Sequence, residues 1–314
     1  MEYSDVDRKD IRLLVVDDEP EMLSFIADFL ADMQGYTVHV AESGPDALEN
    51  ILPYHPIDMI ISDINMPEMK GFELLKIVKH RYPAVKRLLI TAYNIEDYLE
   101  LALKQDVGNI FVKTVPFNFD ELSVVIQNLL NNDVFGIEKH FKSCAQSRRF
   151  RITSGKQLQA DAHRAVEFLP HTHQAQKLEL VIFEILTNAV FYGIRKEKPD
   201  CKEEWNYRFE LKDEEAIDLN VFFDPEKVAV SIIDNGGRLK KSDVLYWLSR
   251  QLTLDDDNVP IGLFDTHGRG FFIARRYIDR VIINIERDKR TEIILIHYIS
   301  QEYKGFKPLY INEI

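Results

Sequence analysis

The first 130 residues alternate short apolar runs with stretches of helical period. Residues 11–16 form an apolar run, and residues 20–33 carry a helical repeat with Pro20 suited to a helix start. The alternation continues as strand 37–41, helix 45–52, strand 57–62, helix 71–81, strand 86–90, helix 95–105, strand 110–112 and helix 119–130. Five apolar strands separated by five helices predict an α/β fold, a doubly wound parallel sheet covered on both faces. In such sheets ligands sit beyond the carboxyl ends of the strands.

Beyond residue 130 the pattern changes. Residues 135–147 read as a short helix joining two domains, and residues 147–153 alternate like a strand. A helix over 156–169 ends at Pro170. The stretch 179–193, ELVIFEILTNAVFYG, then buries a broad apolar face of Leu178, Ile182, Ile185, Ala189 and Val190. Its other side carries a narrow polar strip, Glu184, Thr187 and Asn188. Glu184 and Asn188 are four apart and point the same way. A loop over 195–204 leads to strands at 205–211, 217–223 and 227–233, then to the turn Asp234-Asn235-Gly236-Gly237. A helix at 242–252, an acidic loop at 255–257, a helix at 271–277 and strands at 280–286 and 291–298 complete the pattern. Helices first and mostly antiparallel strands after them predict an α+β two-layer sandwich. The expected division is a first domain over 1–130, a connecting helix or linker over 131–147 and a second domain over 148–314. There is no internal repeat, low-complexity tract or Gly/Ser-rich tether.

Composition narrows the classes. With 314 residues, 46% hydrophobic and 29% charged, the chain holds enough material for two cores. No apolar run is long enough to span a bilayer, and the polar N-terminus MEYSDVDRKD does not read as a secretory signal. Cys144 and Cys201 lie far apart without metal-like spacing, so a reduced cytoplasmic protein is expected. Residues 1–130 hold 11 Lys+Arg against 23 Asp+Glu, a net charge of −12, while the remainder holds 28 against 29. An acidic first half and no basic stripe in the second predict neither nucleic acid nor membrane as a partner.

The polar residues at the strand ends carry the first candidate chemistry. Asp17 and Asp18 follow the first strand, Asp63 ends the third, Thr91 the fourth and Lys113 the fifth. Single acidic residues after strands are often helix caps. Together, three carboxylates repel one another unless a cation intervenes, and oxygen ligands at an open site favour Mg²⁺. A lysine and a hydroxyl beside them suit a phosphoryl group on one carboxylate. The segments VVDDEP, IISDINMPEMKGFEL and LLITA closely resemble the receiver domain of two-component response regulators, which is flavodoxin-like. The resemblance implies Asp63 as phosphoacceptor, Asp17 and Asp18 with Asp63 on Mg²⁺, Thr91 and Lys113 on the phosphoryl group, and a cognate sensor histidine kinase as donor. Two features depart from the family pattern. Lys113 is followed by Thr114-Val115 before Pro116 rather than directly by proline, and Ile110 stands where an aromatic residue is common.

The second domain carries another set. Asn188 offers an amide oxygen to Mg²⁺, and Gly268 and Gly270, around Arg269, open a helix whose free N–H groups favour phosphate. Asp234 beside Gly236 suits an exocyclic amino group, with room left for a base. Their order resembles the GHKL (Bergerat-type) ATP-binding domain shared by histidine kinases, gyrase and bacterial anti-sigma-factor serine kinases. The HGRGFFIARR segment and the lack of a histidine-bearing dimerisation domain look most like the last branch. The resemblance implies ATP with Mg²⁺ on Asn188, Glu184 as general base, Asp234 on adenine, glycines 236, 268 and 270 around the nucleotide, and a lid over 238–266. It departs where Arg238 replaces a further glycine and in the insert with Lys196, Lys198 and Cys201. The expected output is a serine/threonine kinase acting on an anti-sigma-factor antagonist or similar small protein, with a homodimer possible. The alternatives are a non-catalytic switch that sequesters a partner and an atypical histidine kinase. His171 with His173, His163, the acidic loop at 255–257, Trp205 and Trp247 read as solvated or packing residues.

Overall fold

The computed structural model describes residues 11–33, 35–141, 145–170, 175–195, 207–253, 261, 269–299 and 305–314. These fall into two compact units. The first runs to Tyr93 and includes Asn109–Lys113 and Phe117–Asp133; the second takes Asn94–Gly108, Thr114–Pro116 and Val134–Ile314.

In the first unit five parallel strands, β1 (Arg12–Val16), β2 (Thr37–Ala41), β3 (Met59–Asp63), β4 (Lys86–Thr91) and β5 (Asn109–Val112), lie in the order β2-β1-β3-β4-β5. The apolar runs predicted this, since each central strand is buried on both faces. Helix α1 (Pro20–Asp28) starts at Pro20 and continues as a π-helical turn over Phe29–Met33. Helix α2 (Gly44–Asp46) is capped by the Ser43 hydroxyl and also passes into a π-helical turn, Ala47–Ile51. Helix α3 (Gly71–Arg81) follows β3. The strand order reverses at β1, which has β2 on one side and β3 on the other, so Asp17 and Asp63 leave neighbouring strands at the switch point.

The second unit includes α4 (Leu99–Gln105), which ends at Asp106 with left-handed φ. Helix α5 (Phe119–Asn131), capped by the Asn118 side chain, belongs to the first unit and stops at Asn132, also left-handed. The second unit's core is a six-stranded sheet ordered β11-β9-β10-β8-β7-β6 among the described residues. Its strands are β6 (Gln146–Ile152), β7 (Ile217–Phe223), β8 (Lys227–Asp234), β9 (Arg280–Glu286), β10 (Arg290–Tyr298) and β11 (Leu309–Glu313). Helices α6 (Gly155–Phe168), α7 (Ala175–Asn188) and α9 (Arg269–Tyr277) pack together over it, and α8 (Lys241–Arg250) lies beside α4 and α9. Leu178, Val181, Ile182, Ile185 and Leu186 of α7 are buried, each contributing about 1.5–3 kcal/mol.

Several expectations need correction. The second sheet is mostly antiparallel, as expected, but β11 adds to it in parallel with β9, and the short run LYINE after a polar stretch gave little sign of that strand. Among the described residues of 135–147 the expected helix is only a 3-10 turn, Ile137–His140, since Asn132 and Gly136 both take positive φ. Residues 207–211 are not a strand. They cross the start of α6, where Phe209 O accepts from Gly155 N and Leu211 N donates to Thr153 O, an isolated bridge centred on Ser154 and Glu210. Residues 205–206, His171 with His173, both cysteines, the 196–204 insert, the acidic loop at 255–257 and Gly268 lie outside the described residues.

Candidate functional sites

In the first unit the ladder positions the side chains. Asp17 and Asp63 leave the carboxyl ends of β1 and β3, and Lys113 leaves β5 with its N–H on Thr91 O at 2.8 Å. The Lys113 ammonium lies 2.8 Å from Asp17 Oδ2 and 2.6 Å from Asp63 Oδ1. Each carboxylate uses its other oxygen on backbone. Glu19 N donates to Asp17 Oδ1 at 3.1 Å, and Asn65 N donates to Asp63 Oδ2 at 2.6 Å. Asp17, Asp63 and Thr91 are buried, while Asp18 is half-buried. The Thr91 hydroxyl accepts from Tyr93 N at 3.1 Å. Lys113 thus stands between the two carboxylates, and the cis peptide falls at Val115–Pro116.

Burial raises the Asp17 carboxyl above its ordinary value, although the Lys113 hydrogen bond and charge pull the other way. Burial also works against the Lys113 ammonium, but the charge of Asp63 and the bonds to both carboxylates outweigh it and raise its pKa. Two carboxylates thus share one ammonium, an arrangement one positive charge short of neutral. Among the described residues no group of three or more His, Cys, Asp or Glu side chains is placed to hold a metal ion, so Asp17, Asp18 and Asp63 do not form a ready-made three-carboxylate site. The carboxylates of Asp17 and Asp63 fit a hard dication that retains water and takes one or two protein carboxylates.

In the second unit three distant sequence segments meet. Helix α7 passes into a π-helical turn, Ala189–Ile194, of the kind often found at functional sites. At its end Gly193 lies against the Asp234 side chain, and a Cβ on Gly193 would come 2.9 Å from that carboxylate. A Cβ on Gly236 would come 2.0 Å from Gly193 O, so both segments approach backbone to backbone. Asp234 Oδ1 accepts from Gly236 N at 2.9 Å and Gly237 N at 3.3 Å. Burial pushes its carboxyl up to about 6, against the pull of those two N–H groups and of the Thr291 hydroxyl across the ladder, which forms no well-shaped hydrogen bond.

Gly270, near the start of α9, faces the polar strip of α7. A Cβ there would lie 2.8 Å from Asn188 Nδ2 and 4.0 Å from Glu184 Oε2. Glu184 and Asn188 are half-buried, whereas Thr187 turns away and donates to Phe183 O at 2.7 Å. Burial, with the charge of Glu184 adding to it, pushes the Tyr192 hydroxyl up to about 12. The Arg269 backbone begins α9; its side chain lies outside the description. Arg238 Nη1 reaches Asp288 Oδ1 at 3.4 Å, on the β9–β10 turn that closes over Gly237. Gly193 and Tyr192 escaped the sequence reading as site residues. Gly193 ends the α7 stretch, but only the fold shows that it backs Asp234.

Residues 13–127 match the response regulator receiver domain family. Regulatory protein AtoC of Escherichia coli is 35% identical over 120 residues, covering 38% of this chain and 25% of that protein. A Vibrio cholerae protein described as a probable cyclic di-GMP phosphodiesterase is 46% identical over 68 residues, 22% of this chain and 15% of that one. The response regulator TrrA from Thermotoga maritima, solved with Mg²⁺ and BeF, is 33% identical and covers 38% of this chain and 98% of that one, with a TM-score of 0.34. The chain thus carries a receiver domain over 13–127. The chain spans about a quarter of the length of AtoC, and the differing names of these proteins show that the shared part does not specify an output. Among the described residues no helix is long and apolar enough to cross a membrane.

Proposed function

We propose that this chain is a two-component response regulator whose second domain, over 148–314, binds ATP and transfers its γ-phosphoryl group to a serine or threonine of a small partner, of the anti-sigma-factor antagonist type. Asp63 accepts a phosphoryl group from a sensor histidine kinase, and the Lys113 ammonium, already 2.6 Å from Asp63, pairs with it. The Thr91 hydroxyl, which accepts from Tyr93 N, donates its own O–H to a phosphoryl oxygen. Asp17, Asp18 and Asp63 would hold Mg²⁺, which when bound neutralises charge on the phosphoryl oxygens.

In the second domain Asp234 receives the adenine amino group, and Gly236 leaves room for the ring. Asn188 would hold Mg²⁺ through its amide oxygen, and the ion would neutralise phosphate charge. Glu184 takes the proton of the attacking hydroxyl, while N–H groups around Gly268, Arg269 and Gly270 receive phosphate oxygens. The observation that carries this reading is the approach of Gly270 to Glu184 and Asn188. It brings a helix N-terminus onto a carboxylate and a carboxamide from a segment some eighty residues earlier. Incubation with γ-labelled ATP and candidate antagonists tests it. Label transfer that Glu184→Ala abolishes is expected; equal transfer by that variant, or none by the wild type, refutes it.

Arg238 favours a second reading. It pairs with Asp288 at the surface, where the resemblance implies a glycine that would leave the backbone freer. A domain that holds ATP without turnover and sequesters its partner would show tight nucleotide binding and no transfer. An atypical histidine kinase would give an acid-labile product instead of phosphoserine.

A further inference from the structure

The face of the second sheet opposite α7 carries a row of buried polar groups. Asn312, Asn284 and Glu292 stand directly across β11, β9 and β10. Asn312 Nδ2 donates to Asn284 Oδ1 at 2.8 Å, and the Ser231 hydroxyl on β8 donates to Glu292 Oε1 at 2.7 Å. Asn284 is fully buried and Glu292 is 1% exposed, in strands otherwise rich in Ile and Val.

The chain just after α5 sits on this row. Gly136 N donates to Glu292 Oε2 at 2.8 Å, and Asn284 Nδ2 donates to Val134 O at 2.7 Å. Val134 and Ile137 are buried, and the Phe135 ring lies 3.8 Å from the Arg290 guanidinium carbon. Lifting the segment exposes Val134 and Ile137 to water at a cost in hydrocarbon burial, whereas its hydrogen bonds to Asn284 and Glu292 are ones that water replaces when it lifts.

We propose that residues 134–141 are a releasable strap with Glu292 as its catch, and that its seating is linked to the site around Asp234. Glu292 adjoins Thr291 on β10, and successive side chains point to opposite faces of the sheet. Thr291 stands directly across from Asp234. A single peptide unit therefore separates the catch from the cross-strand neighbour of that carboxylate. The strap follows directly from the last receiver helix, so a displacement at the end of α5 acts on it through the chain. The link to nucleotide rests on the ATP-binding reading; the strap itself does not.

Hydrogen exchange on the full chain tests both parts. Amides of residues 134–137 should exchange at least about tenfold faster than those of β9 and β10, by opening while the sheet stays closed. Exchange only together with those strands overturns the strap. Glu292→Gln keeps an acceptor for Gly136 N and a donor for Ser231, and should change the rate less than about twofold, whereas Glu292→Ala should speed it about tenfold. Equal rates in the two variants refute Glu292 as the catch. If Glu292→Ala does not fold, Gly136→Ala loosens the strap from its own side, because alanine is strained at the φ of +109° that Gly136 adopts. Saturating ATP with Mg²⁺ should slow strap exchange about fivefold. Binding measured by titration with no change in strap exchange overturns the link. Absence of binding removes the nucleotide reading and the link together, and the unliganded rates still decide the strap.

Discussion

Asp234→Asn separates function from stability at one atom. The wild-type carboxyl is 6% exposed, and burial holds it near 6 instead of the ordinary 3.8. A carboxyl raised in the folded state binds its proton more tightly there than in the unfolded chain. Folding stability is therefore lost as pH rises through that window and stays lost above it. The interval from 3.8 to about 6 corresponds to about 3 kcal/mol at neutral pH. Asparagine keeps Oδ1 as acceptor for Gly236 N and Gly237 N but has no charge to bury. Denaturant unfolding of both proteins from pH 4 to pH 8 should show nearly equal stability at the acid end. The variant should gain progressively, to about 3 kcal/mol above pH 6. A difference that does not vary with pH, or a variant less stable at pH 8, refutes the reasoning. The same substitution should weaken ATP binding at least about tenfold, since a charge-assisted hydrogen bond to the base becomes a neutral one. A residue kept at a cost in stability because it binds a ligand shows this pairing; a purely structural one does not.

Wild-type ATP affinity should fall as pH drops through about 6, where Asp234 protonates, and the affinity of Asp234→Asn should not follow that profile. Asp63→Asn should abolish acid-labile labelling by a small-molecule phosphodonor while leaving the far-UV spectrum unchanged. Lys113→Met leaves two buried carboxylates facing each other without their shared cation. It should destabilise the first unit by about 3 kcal/mol at pH 7 in thermal or denaturant unfolding, with partial recovery on adding Mg²⁺. Gly270→Ala brings a Cβ to 2.8 Å from Asn188 Nδ2 and should weaken ATP binding by titration much more than it lowers the melting temperature.

The receiver was legible because its candidate site residues lie at strand ends. Buried parallel strands announce themselves as apolar runs, and once the strand count is known the residues after each run must meet at one edge of the sheet. Asp17, Asp63 and Lys113 were therefore placed by pattern alone, and the structure brings their charged atoms to 2.8 and 2.6 Å. In the second unit the sequence indicated Glu184 and Asn188 by their interruption of an apolar helix, and Asp234 by its turn. It did not indicate that Gly193 supports Asp234, because that contact needs a helix end and a strand end to approach at backbone distance. Nor did it show β11, or that a carboxylate and two asparagines on three strands form one row beneath the connecting segment. Local pattern reports which face of an element is buried; it carries no record of register. Register alone puts Asn312 opposite Asn284, Asn284 opposite Glu292 and Thr291 opposite Asp234. The sequence by itself determined which residue types stand at the ends of the receiver's strands and along α7. The tertiary structure decided which of them touch, since pairing across strands is set by long-range packing.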